Sequence, residues 1–140
     1  MKVFLDTNIL LDYGEMRDDF MYAKVIMELG EQGKLDLYAS YLSYANMGYI
    51  LRHYQKNELW TLIREMRDGI NVLPMDSTQL DKALSQSPVR DYEDLLQYQC
   101  AIAGKCDIIV SNNKRDFREF CKLPIYTSKE FLLFYFRKEE

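Results

Sequence analysis

The sequence holds one histidine, and its three cysteines, Cys100, Cys106 and Cys121, include no Cys-x-x-Cys pair. Zinc and copper centres draw on imidazole and thiolate donors, so both are disfavoured, and an odd cysteine count argues against a disulfide framework. No apolar run approaches the roughly 18 to 20 residues that span a bilayer. Met1 and Lys2 lead directly into a core strand without a secretory leader pattern, so the expected location is cytoplasmic. Repeats, linkers and low-complexity tracts are missing too. Positive charge is not in excess: 18 Lys and Arg stand against 22 Asp and Glu, for a net charge of −4. That balance disfavours a protein that coats nucleic acid through its overall field. It is compatible with an acidic pocket that holds divalent cations.

What is present is globular in composition, with 48% hydrophobic and 29% charged residues, which argues against extensive disorder. A chain of 140 residues suits one domain over residues 1–140, able to bury a core without staples. The opening stretch Lys2-Val3-Phe4-Leu5-Asp6 lacks polar alternation, as a strand covered on both faces does. Asp6 falls at its carboxyl end, where a helix begins with Asn8 available as its N-cap. Further helices are expected over about 18–32, from Ser40 or Ser43 to Leu51, over 58–67, over 78–84, from Asp91 to Gly104, and over 131–136. In the second of these, Leu42, Ala45, Tyr49 and Ile50 are expected to face inward. Strands are expected over 35–39, 70–73, 107–111 and 124–126. Strands alternating with helices predict an α/β fold, a parallel sheet with helices on both faces.

In such sheets ligands bind beyond the carboxyl ends of the strands, at a break in strand order. Asp6 follows strand one, Asp94 sits in the first turn of the helix after the Pro88 loop, and Asp116 follows strand four. If strands one and four are neighbours, these carboxylates converge in one crevice. Crowded carboxylates repel, and a hard cation resolves the repulsion; all-oxygen ligation suits Mg²⁺ or Mn²⁺. Such ions polarise phosphoryl oxygens and activate water, which points to phosphoester hydrolysis. Asp91 and Glu93 are read as acids suited to a helix N-terminus.

Three segments carry a resemblance: Phe4-Leu5-Asp6-Thr7-Asn8-Ile9-Leu10-Leu11-Asp12, Asp91-Tyr92-Glu93-Asp94-Leu95-Leu96-Gln97-Tyr98, and Ile109-Val110-Ser111-Asn112-Asn113-Lys114-Arg115-Asp116-Phe117. Their order and content resemble the signature segments of the PIN-domain nucleases, the family that includes the VapC toxins of toxin–antitoxin systems. The resemblance implies a three-layer α/β/α sandwich around a mostly parallel five-stranded sheet of order 3-2-1-4-5. It implies Mg²⁺- or Mn²⁺-dependent cleavage of RNA, with an antitoxin protein as partner and a homodimer as assembly. Asp6, Asp94 and Asp116 match the family's acidic metal positions, and Thr7 and Asn113 lie beside them as groups that orient the acids or contact phosphate. Lys114 and Arg115 are then candidates to hold RNA phosphates. The implied chemistry has Asp6 and Asp94 holding the ion and Asp116 orienting a water that displaces the ribose 3′ oxygen. Asn46 stands where the family usually has Glu, which removes a charge from the catalytic set. The alternative is therefore a weakened PIN-like module that binds RNA or acts as a scaffold.

Overall fold

The computed structural model describes residues 1–139. In chain order its elements are β1 (Lys2–Leu5), α1 (Thr7–Gly14), α2 (Phe20–Glu31), β2 (Asp36–Ser40), α3 (Tyr41–Ile50), α4 (Lys56–Arg67), β3 (Asn71–Leu73), α5 (Ser77–Leu84), α6 (Tyr92–Ala103), β4 (Ile108–Val110), α7 (Lys114–Phe117), β5 (Ile125–Tyr126) and α8 (Ser128–Glu139). The strands form one sheet of order β3-β2-β1-β4-β5. All four pairings are parallel.

β1 is central because it is apolar on both sides. Val3 and Leu5 join one buried cluster with Ile9, Ile26, Met47, Met66 and Phe131, while Phe4 joins the other with Leu95, Ile109 and Phe117. Val3, Phe4 and Leu5 have no exposed surface. β4 repeats the pattern, with Ile108 and Val110 on the first side and Ile109 on the second. Helices therefore cover both faces, as period-2 side-chain direction requires of a strand with no polar face.

The chain runs outward from β1 through β2 to β3, then returns to lay β4 on β1's free edge, with Val3 opposite Ile108 and Leu5 opposite Val110. The reversal of direction between β1 and β4 opens a crevice at their carboxyl ends. Gly69, at φ +72°, makes the left-handed turn that follows α4 and brings the chain into β3.

Three local expectations are corrected. Asp6, not Asn8, is the N-cap of α1, and its side chain accepts the Thr7 N–H; the helix starts two residues earlier than apolar periodicity suggests. In α3, Ala45 is exposed and Tyr49 is 69% exposed, while Ser43 and Met47 are buried. That face is built from one apolar residue, Met47, and one hydroxyl with buried partners, Ser43, too few apolar positions for spacing to mark it. The short α7 was not anticipated, since four residues are too few to show a period.

Candidate active site

The crevice is lined from the ends of β1 and β4 and from the first turn of α6. Asp6 leaves β1 as the cap of α1 and is 4% exposed. Its Oδ1 accepts the Thr7 N–H at 2.8 Å, and its Oδ2 accepts Ser111 Oγ–H at 2.7 Å and Asn8 Nδ2–H at 3.1 Å. Burial pushes the Asp6 carboxyl up from 3.8 to about 6. The Ser111 and Thr7 hydrogen bonds pull it down, and the charges of Glu93 and Asp91 push it further up.

Asp91 caps α6, accepting the Asp94 N–H at 3.0 Å. It does more than cap: Asp91, Asp94 and Asp116 each offer a carboxylate oxygen within 4.8 Å of the other two. Asp94 is pushed up to about 8, by burial first and then by the charges of Asp6, Asp91, Asp116 and Glu93. Asp6 thus lies outside the tight triplet but is the strongest charge acting on its centre. Among the described residues, no Lys or Arg forms an ion pair with any of these four acids. An all-oxygen donor set with uncompensated negative charge fits a hard divalent cation held by Asp91, Asp94 and Asp116, with Asp6 beside them.

The remaining candidate residues fall in three places. Asn46, midway along α3, donates from Nδ2 to Glu93 Oε1 at 2.8 Å, so its amide faces the mouth of the acidic crevice. Thr7 points inward, its hydroxyl 2.7 Å from Ser43 Oγ and 3.2 Å from Gln97 Nε2, while its N–H holds Asp6 Oδ1. Asn113 and Arg115 are exposed at the start of α7, where the Asn113 N–H donates to Ser111 Oγ at 3.0 Å. Lys114 is engaged elsewhere, with Nζ 2.8 and 2.9 Å from the two oxygens of Glu130.

Sequence reasoning missed several supports of this site. Asn112 donates to Asp12 Oδ2 at 2.7 Å, accepts the Ser128 N–H at 3.0 Å and gives its own N–H to Asn8 Oδ1 at 3.2 Å, which ties α1 and α8 to the end of β4. The signal was the run Ser111-Asn112-Asn113 directly after an apolar strand. Asp91 was legible as a cap but not as a member of the cluster, because only the fold brings α6 to α7.

The profile that describes the PIN domain matches residues 2–115. The chain belongs to the PIN domain family. Over 135 residues this PIN domain is 27% identical to Ribonuclease VapC1 of Aquifex aeolicus (strain VF5), covering 93% of this chain and 92% of that protein. Its fold is similar to that in the structure of VapBC2 from Rickettsia felis bound to a promoter DNA fragment (TM-score 0.68, 17% identity, 89% of this chain and 97% of the other). It is likewise similar to VapBC-1 from nontypeable Haemophilus influenzae (TM-score 0.66, 19% identity, 92% and 99%). The sheet order and the three-layer build expected of a PIN domain are those observed.

Proposed function

We propose that this PIN domain is a divalent-cation-dependent endoribonuclease, the toxin of a pair whose second member is an antitoxin protein. The observation that carries the reading is the gathering of Asp6, Asp91, Asp94 and Asp116 from distant parts of the chain into one crevice without a compensating basic side chain among the described residues. Support for RNA as substrate comes from the relative named a ribonuclease, which aligns over nearly the whole chain. Support for an antitoxin partner comes from the VapBC structures of similar fold.

A Mg²⁺ or Mn²⁺ ion bound there supplies Lewis acidity toward a phosphoryl oxygen and lowers the pKa of a water. The chain's own groups do the rest. Asp91, Asp94 and Asp116 hold the ion. Asp6, fixed by Ser111, Asn8 and the Thr7 amide, keeps one orientation and adds negative charge beside it. Asp116, on the α7 side, would orient a water for displacement of the ribose 3′ oxygen, giving a 5′ phosphate and a 3′ hydroxyl. Arg115 is the exposed cation nearest in sequence to Asp116 and takes the role of phosphate contact. Lys114 holds Glu130 and the start of α8 instead.

The experiment is cleavage of an RNA panel with Mn²⁺ by wild type and Asp94→Asn. Cutting by wild type and loss in the variant supports the reading. RNA left intact by both, with RNA binding retained, selects the non-cleaving module that the uncharged Asn46 favours.

A further inference from the structure

We propose that Gln97 is a positioning residue of this site, its buried carboxamide fixing the spacing between Asp6 and Asp94 and thereby the affinity for a divalent cation. The inference rests on the proposed function in taking the acidic crevice, with Asp94 among the ligands and Asp6 beside them, as the cation site.

Gln97 has no exposed surface, and it lies on α6 among Leu95, Tyr98 and Ala101, which are all buried. An aliphatic side chain at that point packs without desolvating an amide, so helix packing alone does not call for glutamine. Its three hydrogen bonds run to three separate elements. The Ser40 hydroxyl at the end of β2 donates to Gln97 Oε1. Gln97 Nε2 donates to Ser43 Oγ in α3 at 3.0 Å and to Thr7 Oγ1 in α1 at 3.2 Å. The Thr7 and Ser43 hydroxyls bond one another at 2.7 Å, and Ser40 Oγ accepts the Ser43 N–H at 3.2 Å as the cap of α3. Among the described residues, no buried side-chain nitrogen or oxygen is left without a partner.

The closed network sits directly beneath the crevice. Thr7 gives its N–H to Asp6 Oδ1, and Gln97 is one helical turn beyond Asp94. A short chain of directional contacts therefore runs from Asp6 through Thr7 and Gln97 to the turn that carries Asp94 and Asp91. Apolar packing alone is non-directional and gives α6 no register of donors and acceptors against a slide along its neighbours. A buried amide resists such a slide, because each bond lost leaves an unpaired donor or acceptor in a low-dielectric interior. Acids gathered round one ion need that restraint, since each misplaced carboxylate weakens their common hold on it.

The test is titration of purified protein with Mn²⁺ alone, followed by calorimetry, for wild type, Gln97→Leu, Ser43→Ala and Met27→Ala. Met27 is a buried residue of α2, a helix that carries no site residue, so its variant reports the effect of lost stability by itself. Gln97→Leu is expected to bind Mn²⁺ at least tenfold more weakly, Ser43→Ala several-fold more weakly, and Met27→Ala like wild type despite a lower melting point. Raising Mn²⁺ is expected to recover most of the RNA cleavage of Gln97→Leu, which a collapsed fold does not allow. If Gln97→Leu does not fold, Ser43→Ala carries the test. Wild-type affinity in the folded variants of the network overturns the role of Gln97, as does an equal loss in Met27→Ala. A wild type that fails to bind Mn²⁺ overturns the proposed function itself.

Discussion

Asp94 is the residue on which the other acids act. Its carboxyl is raised to about 8 by burial and by four neighbouring carboxylates. Asp94→Asn removes the centre of that repulsion, so metal-free protein is expected to be more stable at pH 8 by thermal melting, while RNA cleavage falls about 100-fold or more. Gain of stability with loss of activity marks a functional group rather than a structural one. Glu93 sits one residue earlier, held by Asn46, and its charge raises both Asp6 and Asp94. Glu93→Gln removes that charge and is expected to move both carboxyl titration midpoints downward, as followed by carbon NMR of the side chains. The sequence marked Asp6, Asp94 and Asp116 as candidates by their places after strands and in a first helical turn. It did not mark Asp91, because a helix cap and a cluster member are the same residue type at the same position.

At the scale of elements, α3 and α6 are joined by polar contacts that apolar periodicity does not record. Ser40 ends β2, caps α3 and donates to Gln97 at once. Ser40→Ala removes the cap and leaves the Gln97 oxygen unpaired, so it is expected to cost about 2 to 3 kcal/mol in urea denaturation. Asp76→Ala, which breaks the reciprocal capping of α5 with Gln79, a pair that makes no hydrogen bond to this network, is expected to cost only about 1 kcal/mol. The contrast measures what the buried polar contacts add beyond capping. Strands, helices and most turns were legible because β1 and β4 are apolar throughout and the longer helices repeat their apolar residues. The inward face of α3 was not, since Ser43 is buried for its hydroxyl and not for its hydrophobicity.

For the whole molecule, the raised acids couple stability to pH and to metal. Asp6 and Asp94 bind protons in the folded state at pH values where the unfolded chain, titrating near 3.8, has released them. Their contribution to stability is therefore full below about pH 4 and is lost as pH rises through about 6 and then about 8. Metal-free protein is expected to melt several degrees lower at pH 8.5 than at pH 5. Mn²⁺ at about 100 times its Kd opposes this by about 2.7 kcal/mol, a rise in melting temperature of roughly 8 °C that a chelator reverses. Scanning calorimetry at the two pH values, with and without Mn²⁺, checks both signs. Among the described residues, no helix is long and apolar enough to cross a membrane.

The order of the strands and the longer helices, the apolar centre of the sheet and the lack of a Cys-x-x-Cys pair or a second histidine were determined by the sequence alone, because each follows from local pattern or from composition. The company each acid keeps was decided only in three dimensions. Asp91 meets Asp116 because β4 returns to the free edge of β1, and Asp6 is joined to Asp94 through Thr7 and Gln97 because α1, α3 and α6 converge on the end of β2. Such contacts link residues dozens of positions apart, and the spacing of residues along one element carries no record of them.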